Sequence, residues 1–129
     1  CGTGILGIVA AKCGAKDVVC YDIDEWSVRN AEHNAELNGV ELDVLEGDKR
    51  VLSHVSGVFD VILANINRNI ILKDIDEFVS VMTTDSKIIL SGFYEQDAEA
   101  ILQKANELGL KESQRLLNHD WCCLLLERA

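Results

Sequence analysis

Residues 1–39 read CGTGILGIVAAKCGAKDVVCYDIDEWSVRNAEHNAELNG, and this stretch decides the fold class. The apolar residues of Ile5–Lys12 predict a helix that Gly14 ends. The β-rich run 17–22 predicts a strand, and the spacing of apolar residues over 25–38 predicts a second helix. Helix and strand patterns that alternate in this way indicate an α/β fold built on a parallel sheet.

The rest of the chain continues the alternation and closes with two strand patterns. The predicted strands are 41–45, 58–64, 87–93, 112–118 and 121–128, and the predicted helices carry the apolar stripes Ile71, Ile75, Phe78, Met82 and Ala98, Ile101, Ala105, Leu108. The mostly apolar run 58–64 is typical of a central strand that is covered on both faces. Asn118-His119-Asp120 favours an antiparallel hairpin at the end of the sheet. We therefore expect a doubly wound α/β sheet, mostly parallel, with a C-terminal antiparallel hairpin.

Length and charge narrow the class of protein. The chain has 129 residues, which is the size of one domain, and 48% of them are hydrophobic. Twelve basic residues against 22 acidic ones give a net charge of −10, which argues against a protein that coats nucleic acid. No apolar run approaches the roughly 20 residues that span a bilayer, and no N-terminal stretch is typical of a signal peptide. We expect no direct nucleic-acid partner and no membrane.

Cysteine and histidine patterns predict no metal site. The five cysteines include no C-x-x-C pair, and the three histidines have no ligand spacing between them. Reduced thiols, several of them buried, are the simplest interpretation, and they are typical of a cytoplasmic protein.

Gly2-Thr3-Gly4 opens the first predicted helix, and Gly7 completes a G-x-G-x-x-G pattern. Glycines at such a turn let the backbone pass close to a ligand, and a helix N-terminus offers unpaired N–H groups. Asp22 follows 20 residues after Gly2, at the end of the next predicted strand, where a carboxylate can accept the hydroxyl protons of a ribose. The pattern favours a nucleoside cofactor, either a nicotinamide dinucleotide or S-adenosylmethionine, over turn formation and capping alone.

A longer set of motifs distinguishes between these cofactors. Residues 1–39, with D-I-D at 22–24, resemble the class I S-adenosylmethionine-dependent methyltransferases, and Glu46-Gly47-Asp48 resembles their adenine-binding loop. FDVILANINRNIIL (59–72) is similar to one narrower family, PrmA, whose members methylate large-subunit ribosomal protein L eleven (L11). SGFYEQD (91–97) and HDWCCLLLE (119–127) continue the likeness, so that it covers essentially the whole chain. The resemblance implies a Rossmann-like doubly wound sheet of the class I methyltransferase type.

The resemblance also implies a role for each candidate site residue. The cofactor-binding residues would be Gly2, Thr3, Gly4, Asp22, Ile23, Asp48 and Asn65. Within this set the glycine loop would curve around the methionine and ribose parts, Asp22 would bind the ribose hydroxyls, Ile23 would lie against the adenine and Asp48 would bind the adenine edge. Asn65 would be the catalytic residue, beside the reacting methyl group. Many amine methylases have N-P-P-Y at this place, whereas this chain has Asn65-Ile66-Asn67, as the PrmA pattern does.

Simpler interpretations stand beside these roles. Asp48 would then only cap the following turn, Asn65 would be a turn former at the end of a strand, and Ile23 would be a core residue. The aromatic residues Trp26, Phe93, Tyr94 and Trp121 are expected to be packing or rim residues, and Arg68 and Lys73 to be solvated helix charges. His119 is a weak candidate for a general base and more typical of the terminal turn.

The resemblance implies methyl transfer from S-adenosylmethionine, with S-adenosylhomocysteine as the product, to lysine or N-terminal amino groups of L11. The alternatives are a methyltransferase with another acceptor, a dinucleotide-binding Rossmann module, and a non-catalytic remnant. Because the chain begins at the glycine turn, we expect residues 1–129 to be a methyltransferase domain without its first strand and without the family's substrate-recognition domain.

Overall fold

The computed structural model describes residues 1–54 and 58–129, with the backbone alone at 53 and 54. The chain divides into two compact units, Cys1–Val55 and Ser56–Ala129. Each unit has its own sheet, of two strands in the first and of four in the second. The expectation of a single domain over 1–129 stays a prediction.

The first unit alternates helices with parallel strands. Its elements in chain order are α1 (Ile5–Lys12), β1 (Val19–Asp22), α2 (Glu25–Leu37), β2 (Asp43–Glu46) and a 3₁₀ helix (Lys49–His54). β1 and β2 pair in parallel, with Asp22 opposite Glu46, so that both strands end at the same edge. Asp22 ends β1 at this edge, and the loop with Asp48 follows the end of β2.

Local signals in the first unit produce the predicted elements. α1 has its predicted bounds, and Gly14 follows it with a φ of 108°, a backbone conformation that favours glycine. Asp24 is the N-cap of α2, since its side chain accepts a hydrogen bond from the N–H of Trp26 over 3.3 Å. The prediction of both helices is confirmed.

The second unit holds the longer strands. Its elements are β3 (Phe59–Asn65), α3 (Arg68–Ser80), β4 (Met82–Tyr94), a 3₁₀ turn (Glu95–Asp97), α4 (Ala98–Glu107), β5 (Leu110–Asn118) and β6 (Trp121–Arg128). The strand order is β3-β4-β6-β5, in which β3 and β4 pair in parallel and the other two pairings are antiparallel. The predicted C-terminal hairpin is confirmed, and His119 forms its turn with a φ of 56°.

Two sequence predictions in the second unit are wrong. The run 58–64 was expected to be a central strand covered on both faces, but β3 lies at the end of the strand order of the described residues. Val61 is 52% exposed and Leu63 36% exposed, because an apolar composition does not by itself determine how many neighbours a strand has. Met82 was placed on the stripe of α3, yet α3 ends at Ser80 and Met82 begins β4, where it is buried.

Apolar side chains from every α-helix and strand of the second unit supply its buried core, and β3 contributes Ala64 alone. The fully buried large ones are Ile71, Ile75, Ile88, Leu90, Ile101, Leu110, Leu124 and Leu126. Along β6 the buried residues alternate with partly exposed ones, the period of two that a sheet with one covered face requires. Among the described residues, no helix is long and apolar enough to cross a membrane.

Candidate functional site

The three glycines of the G-x-G-x-x-G pattern have different surroundings. Gly2 has a φ of 55°, and a Cβ built on it would meet no atom within 4 Å, so its backbone is open to a ligand. Gly4 has a φ of 82°, and its Cβ would lie 2.9 Å from the Cβ of Ala31 in α2. A Cβ on Gly7 would lie 2.6 Å from the sulfur of Cys20 in β1. Gly4 and Gly7 therefore serve close packing, and Gly2 is the glycine with space beside it.

The carboxylate of Asp22 closes the turn from the end of β1. Its Oδ2 accepts hydrogen bonds from the N–H of Gly2 over 3.0 Å and from the terminal ammonium of Cys1 over 2.8 Å. Its Oδ1 accepts from the N–H of Asp24 over 2.9 Å. These contacts attach the glycine turn to the end of β1, and the predicted binding of ribose hydroxyls by Asp22 stays a prediction.

The same contacts keep Asp22 ionised. Burial alone raises the pKa of this carboxyl, but the terminal ammonium and the N–H groups of Gly2 and Asp24 outweigh burial and lower the pKa to about 2. The side chain is 19% exposed, so a ligand can reach it. A carboxylate has about four acceptor directions. Because three are used here, one acceptor direction, on Oδ1, is left for a ligand.

Ile23 and the Asp48 loop lie at the same edge. Ile23 is 76% exposed, so its interpretation as a core residue is wrong, and it offers an apolar surface next to Asp22. The N–H of Gly47 donates to the carbonyl of Asp22 over 2.9 Å, which brings the Asp48 loop to the end of β1. The first unit therefore brings together an open glycine, an ionised acceptor and an exposed apolar side chain.

Asp48 caps the turn that follows it. Its Oδ1 accepts from the N–H of Arg50 over 2.9 Å and from the Arg50 Nε over 3.0 Å. The capping interpretation is confirmed, and the contact with the adenine edge stays a prediction. The carboxylate also raises the pKa of the Arg50 guanidinium, first through the hydrogen bond and then through its charge.

Asn34 is a supporting residue to which the sequence analysis assigned no role. Its Nδ2 donates to the carbonyl of Thr3 over 2.9 Å, which attaches the glycine turn to the middle of α2. This bond fixes the backbone of Thr3 between the two turn glycines. The available signal was a polar residue one turn beyond Ala31, the residue that packs against Gly4.

In the second unit, Asn65 ends β3 and faces Ser91 of β4 across the parallel pair. The Nδ2 of Asn65 donates to the Oγ of Ser91 over 2.8 Å, and the N–H of Ile66 donates to the Ser91 carbonyl over 3.0 Å. Asn67 is the N-cap of α3, because its side chain accepts from the N–H of Ile70 over 3.0 Å. The two asparagines of the N-I-N segment therefore have different functions, and only Asn65 lies at a strand end.

The remaining candidates are packing and surface residues. Phe93 is buried, and Tyr94 stacks on Trp121 with 4.4 Å between ring centroids, both rings being about half exposed. Trp26 is exposed, and Arg68 pairs with Asp97 over 3.4 Å. Lys73 is exposed as well, and His119 lies in the hairpin turn. In the part of the chain that the structure describes, no group of three or more His, Cys, Asp or Glu side chains could hold a metal ion.

Comparison with known proteins shows the family to which the chain is similar. The family described as Ribosomal protein L11 methyltransferase (PrmA) matches residues 1–129. A protein of that name from Bacteroides fragilis is 49% identical over 111 residues, which are 85% of this chain and 39% of that protein. Its counterpart from Porphyromonas gingivalis is 42% identical over 125 residues, which are 96% of this chain and 43% of that protein. The chain thus spans less than half the length of these relatives.

A solved structure shows the fold directly. The crystal structure of a ribosomal protein L11 methylase from Lactobacillus delbrueckii subsp. bulgaricus has a TM-score of 0.92 and 34% identity, over 98% of this chain and 66% of that one. The fold is the class I methyltransferase type with a mixed sheet and an antiparallel C-terminal hairpin, as predicted. These matches do not favour the dinucleotide-binding alternative or the remnant. The chain belongs to the PrmA family of ribosomal protein L11 methyltransferases.

Proposed function

We propose that residues 1–129 act as the methyltransferase domain that transfers methyl groups from S-adenosylmethionine to amino groups of ribosomal protein L11. The acceptors are lysine side chains or the N-terminus. The observation that carries the proposal is the contact of Gly2 with Asp22, which places an open backbone turn beside an ionised carboxylate. The names of the relatives supply the substrate.

The residues at the edge of the first unit fit this cofactor. Gly2 leaves room for a ligand against the backbone, and Thr3 and Gly4 continue the loop. Asp22 would accept from a ribose hydroxyl, since it is ionised and one-fifth exposed. Ile23 would cover one face of the adenine, and Asp48 would accept from its amino group. The bound cofactor would supply a sulfonium methyl group, an electrophile that needs alignment more than activation.

Asn65 would hydrogen-bond the acceptor amine and would lie beside the reacting methyl group. A free lysine has a pKa of about 10.4, so the amine must first lose a proton to become a nucleophile. A carbonyl acceptor such as the Oδ1 of Asn65 hydrogen-bonds the uncharged amine and orients its lone pair. When the amine attacks, the nitrogen–carbon bond forms, the carbon–sulfur bond breaks with its electron pair passing to sulfur, and the methylated nitrogen gives a proton to water.

The acceptor protein is the proposed macromolecular partner. A surface with net charge −10 is suited to a lysine-bearing protein and not to a nucleic acid or an anionic membrane. We place the protein in the cytoplasm, since the proposed substrate is a ribosomal protein.

Calorimetric titration of S-adenosylhomocysteine tests the cofactor assignment in this chain. We expect binding by the wild type and at least tenfold weaker binding by Asp22→Asn. Asp43→Asn, which neutralises an exposed carboxylate of β2, is the matched control and should bind as the wild type does. A chain that bound a nicotinamide dinucleotide instead would contradict the proposal. Transfer of labelled methyl groups to purified L11, with and without acetylation of its amines, then tests the acceptor.

A further inference from the structure

We propose that Ser91 is a positioning residue, which orients the side-chain amide of Asn65 so that its carbonyl oxygen is presented to the acceptor amine. This inference rests on the proposed function. It concerns the second unit alone and uses a contact that the sequence motifs did not indicate.

The contact between the two side chains is direct. Asn65 and Ser91 are register partners at the carboxyl end of the parallel pair β3–β4. The side-chain Nδ2 of Asn65 lies 2.8 Å from the Ser91 Oγ, and the backbone of the next residue, Ile66, donates to the Ser91 carbonyl over 3.0 Å. Ser91 therefore contacts both the side chain of Asn65 and the backbone of Ile66, the next residue.

Gly92 makes this approach possible. It has a φ of 91°, and a Cβ built on it would lie 3.0 Å from both the N and the O of Ile66. The register of β4 against β6 shifts between Leu90 and Phe93, so β4 is irregular at the same point. A strand irregularity that re-aims side chains is a recurrent feature beside active sites. The pair Ser91-Gly92 thus brings β4 against the end of β3.

A side-chain amide that donates from its nitrogen has a defined orientation. Because the amide is planar, the bond from Nδ2 to Ser91 turns Oδ1 to the opposite side of the group. Among residues 58–129, no donor is hydrogen-bonded to this Oδ1. An uncharged amine that donates one N–H to Oδ1 keeps its lone pair for the methyl carbon. Without Ser91, the amide could rotate and present its NH₂ group, which repels an amine donor.

The test combines a resonance of Asn65 with kinetics. Ser91→Ala removes the hydroxyl, Ser91→Thr keeps it, and Thr84→Ala is a matched control that removes a hydroxyl from an exposed position of the same strand. We expect slow proton exchange of the Asn65 side-chain amide in the wild type, Ser91→Thr and Thr84→Ala, and about tenfold faster exchange in Ser91→Ala. Methyl transfer to a lysine-bearing peptide should fall about tenfold in kcat in Ser91→Ala alone, with unchanged affinity for S-adenosylhomocysteine.

A double variant separates positioning from a general effect on folding. Asn65→Ala combined with Ser91→Ala should be no slower than Asn65→Ala alone, because Ser91 acts through Asn65. Equal amide exchange in the wild type and Ser91→Ala, or additive losses of kcat, would overturn the inference. A wild type that neither binds S-adenosylhomocysteine nor transfers methyl groups would overturn the proposed function, and this inference with it. An active wild type with an equally active Ser91→Ala would overturn the inference alone.

Discussion

The N–H of Gly2 donates a 3.0 Å hydrogen bond to the Oδ2 of Asp22, across 20 residues of sequence. The bond joins the turn before α1 to the end of β1, and the Asp48 loop is attached to the same strand end through the carbonyl of Asp22. Three separate segments thereby meet at one edge of a two-stranded sheet. The glycine pattern alone is weak evidence for a cofactor site, and the contact of these three segments is the structural evidence that supports it.

The low pKa of Asp22 predicts that the free energy of unfolding decreases in acid. Its value of about 2 lies below the ordinary 3.8, so the ionised carboxylate stabilises the folded chain. A lowered folded-state pKa means that this stabilisation is complete above about pH 4 and is lost as the pH falls through 2. Urea unfolding of wild type and Asp22→Asn between pH 2 and 6 should therefore converge at the acid end. A gap that did not change with pH would contradict the assignment.

Substitution of Gly4 measures packing beyond backbone strain. Gly4→Ala places a Cβ 2.9 Å from that of Ala31, whereas Gly109, with nearly the same φ (83° against 82°), has no atom within 4 Å of its Cβ position. In both variants the alanine lowers the free energy of unfolding by about 1–2 kcal/mol, because it must adopt a left-handed backbone conformation. We expect Gly4→Ala to lower the free energy of unfolding by about a further 1–3 kcal/mol. Equal losses in urea denaturation would show that the contact with α2 is relaxed at no cost.

Two substitutions of Asp48 separate the cap from the proposed adenine contact. Serine can still accept from the N–H of Arg50, so Asp48→Ser should retain the cap and nearly the wild-type stability. It removes the carboxylate, and we expect its affinity for S-adenosylhomocysteine to fall about tenfold. Asp48→Ala should lose both properties, with about 1 kcal/mol of stability. If calorimetry gave Asp48→Ser the wild-type affinity, Asp48 would be a cap and nothing more.

The hairpin turn can be stabilised. Among the described residues, His119 is the one non-glycine residue with a positive φ, and that φ is 56°. Because glycine adopts this conformation without a Cβ clash, His119→Gly should raise the free energy of unfolding by about 1 kcal/mol. His119→Asn should give a smaller increase, since asparagine tolerates the left-handed region better than most residues. A lower melting temperature for His119→Gly would show that the imidazole makes a stabilising contact.

The amino-acid sequence by itself determined the local elements and the family. Helix α1, the cap at Asp24 and the terminal hairpin follow from short-range signals, because capping, glycine turns and apolar periodicity act within a few residues. The spacing of Gly2 and Asp22 predicted a nucleoside-cofactor site, and the two residues are in contact in the structure because a helix after a glycine turn and the next parallel strand bring them to one edge.

Only the tertiary structure decided which residues support the candidate residues within each unit. Asn34 reaches Thr3 from another helix, and Ser91 and Gly92 reach Asn65 and Ile66 from another strand. Such contacts depend on register and on the close approach of two backbones, which no pattern within one segment encodes. The apolar run 58–64 predicted a central strand, but among the described residues β3 lies at the end of the strand order. Hydrophobicity indicates that a segment can be buried, whereas its pairing with other strands decides whether it is buried.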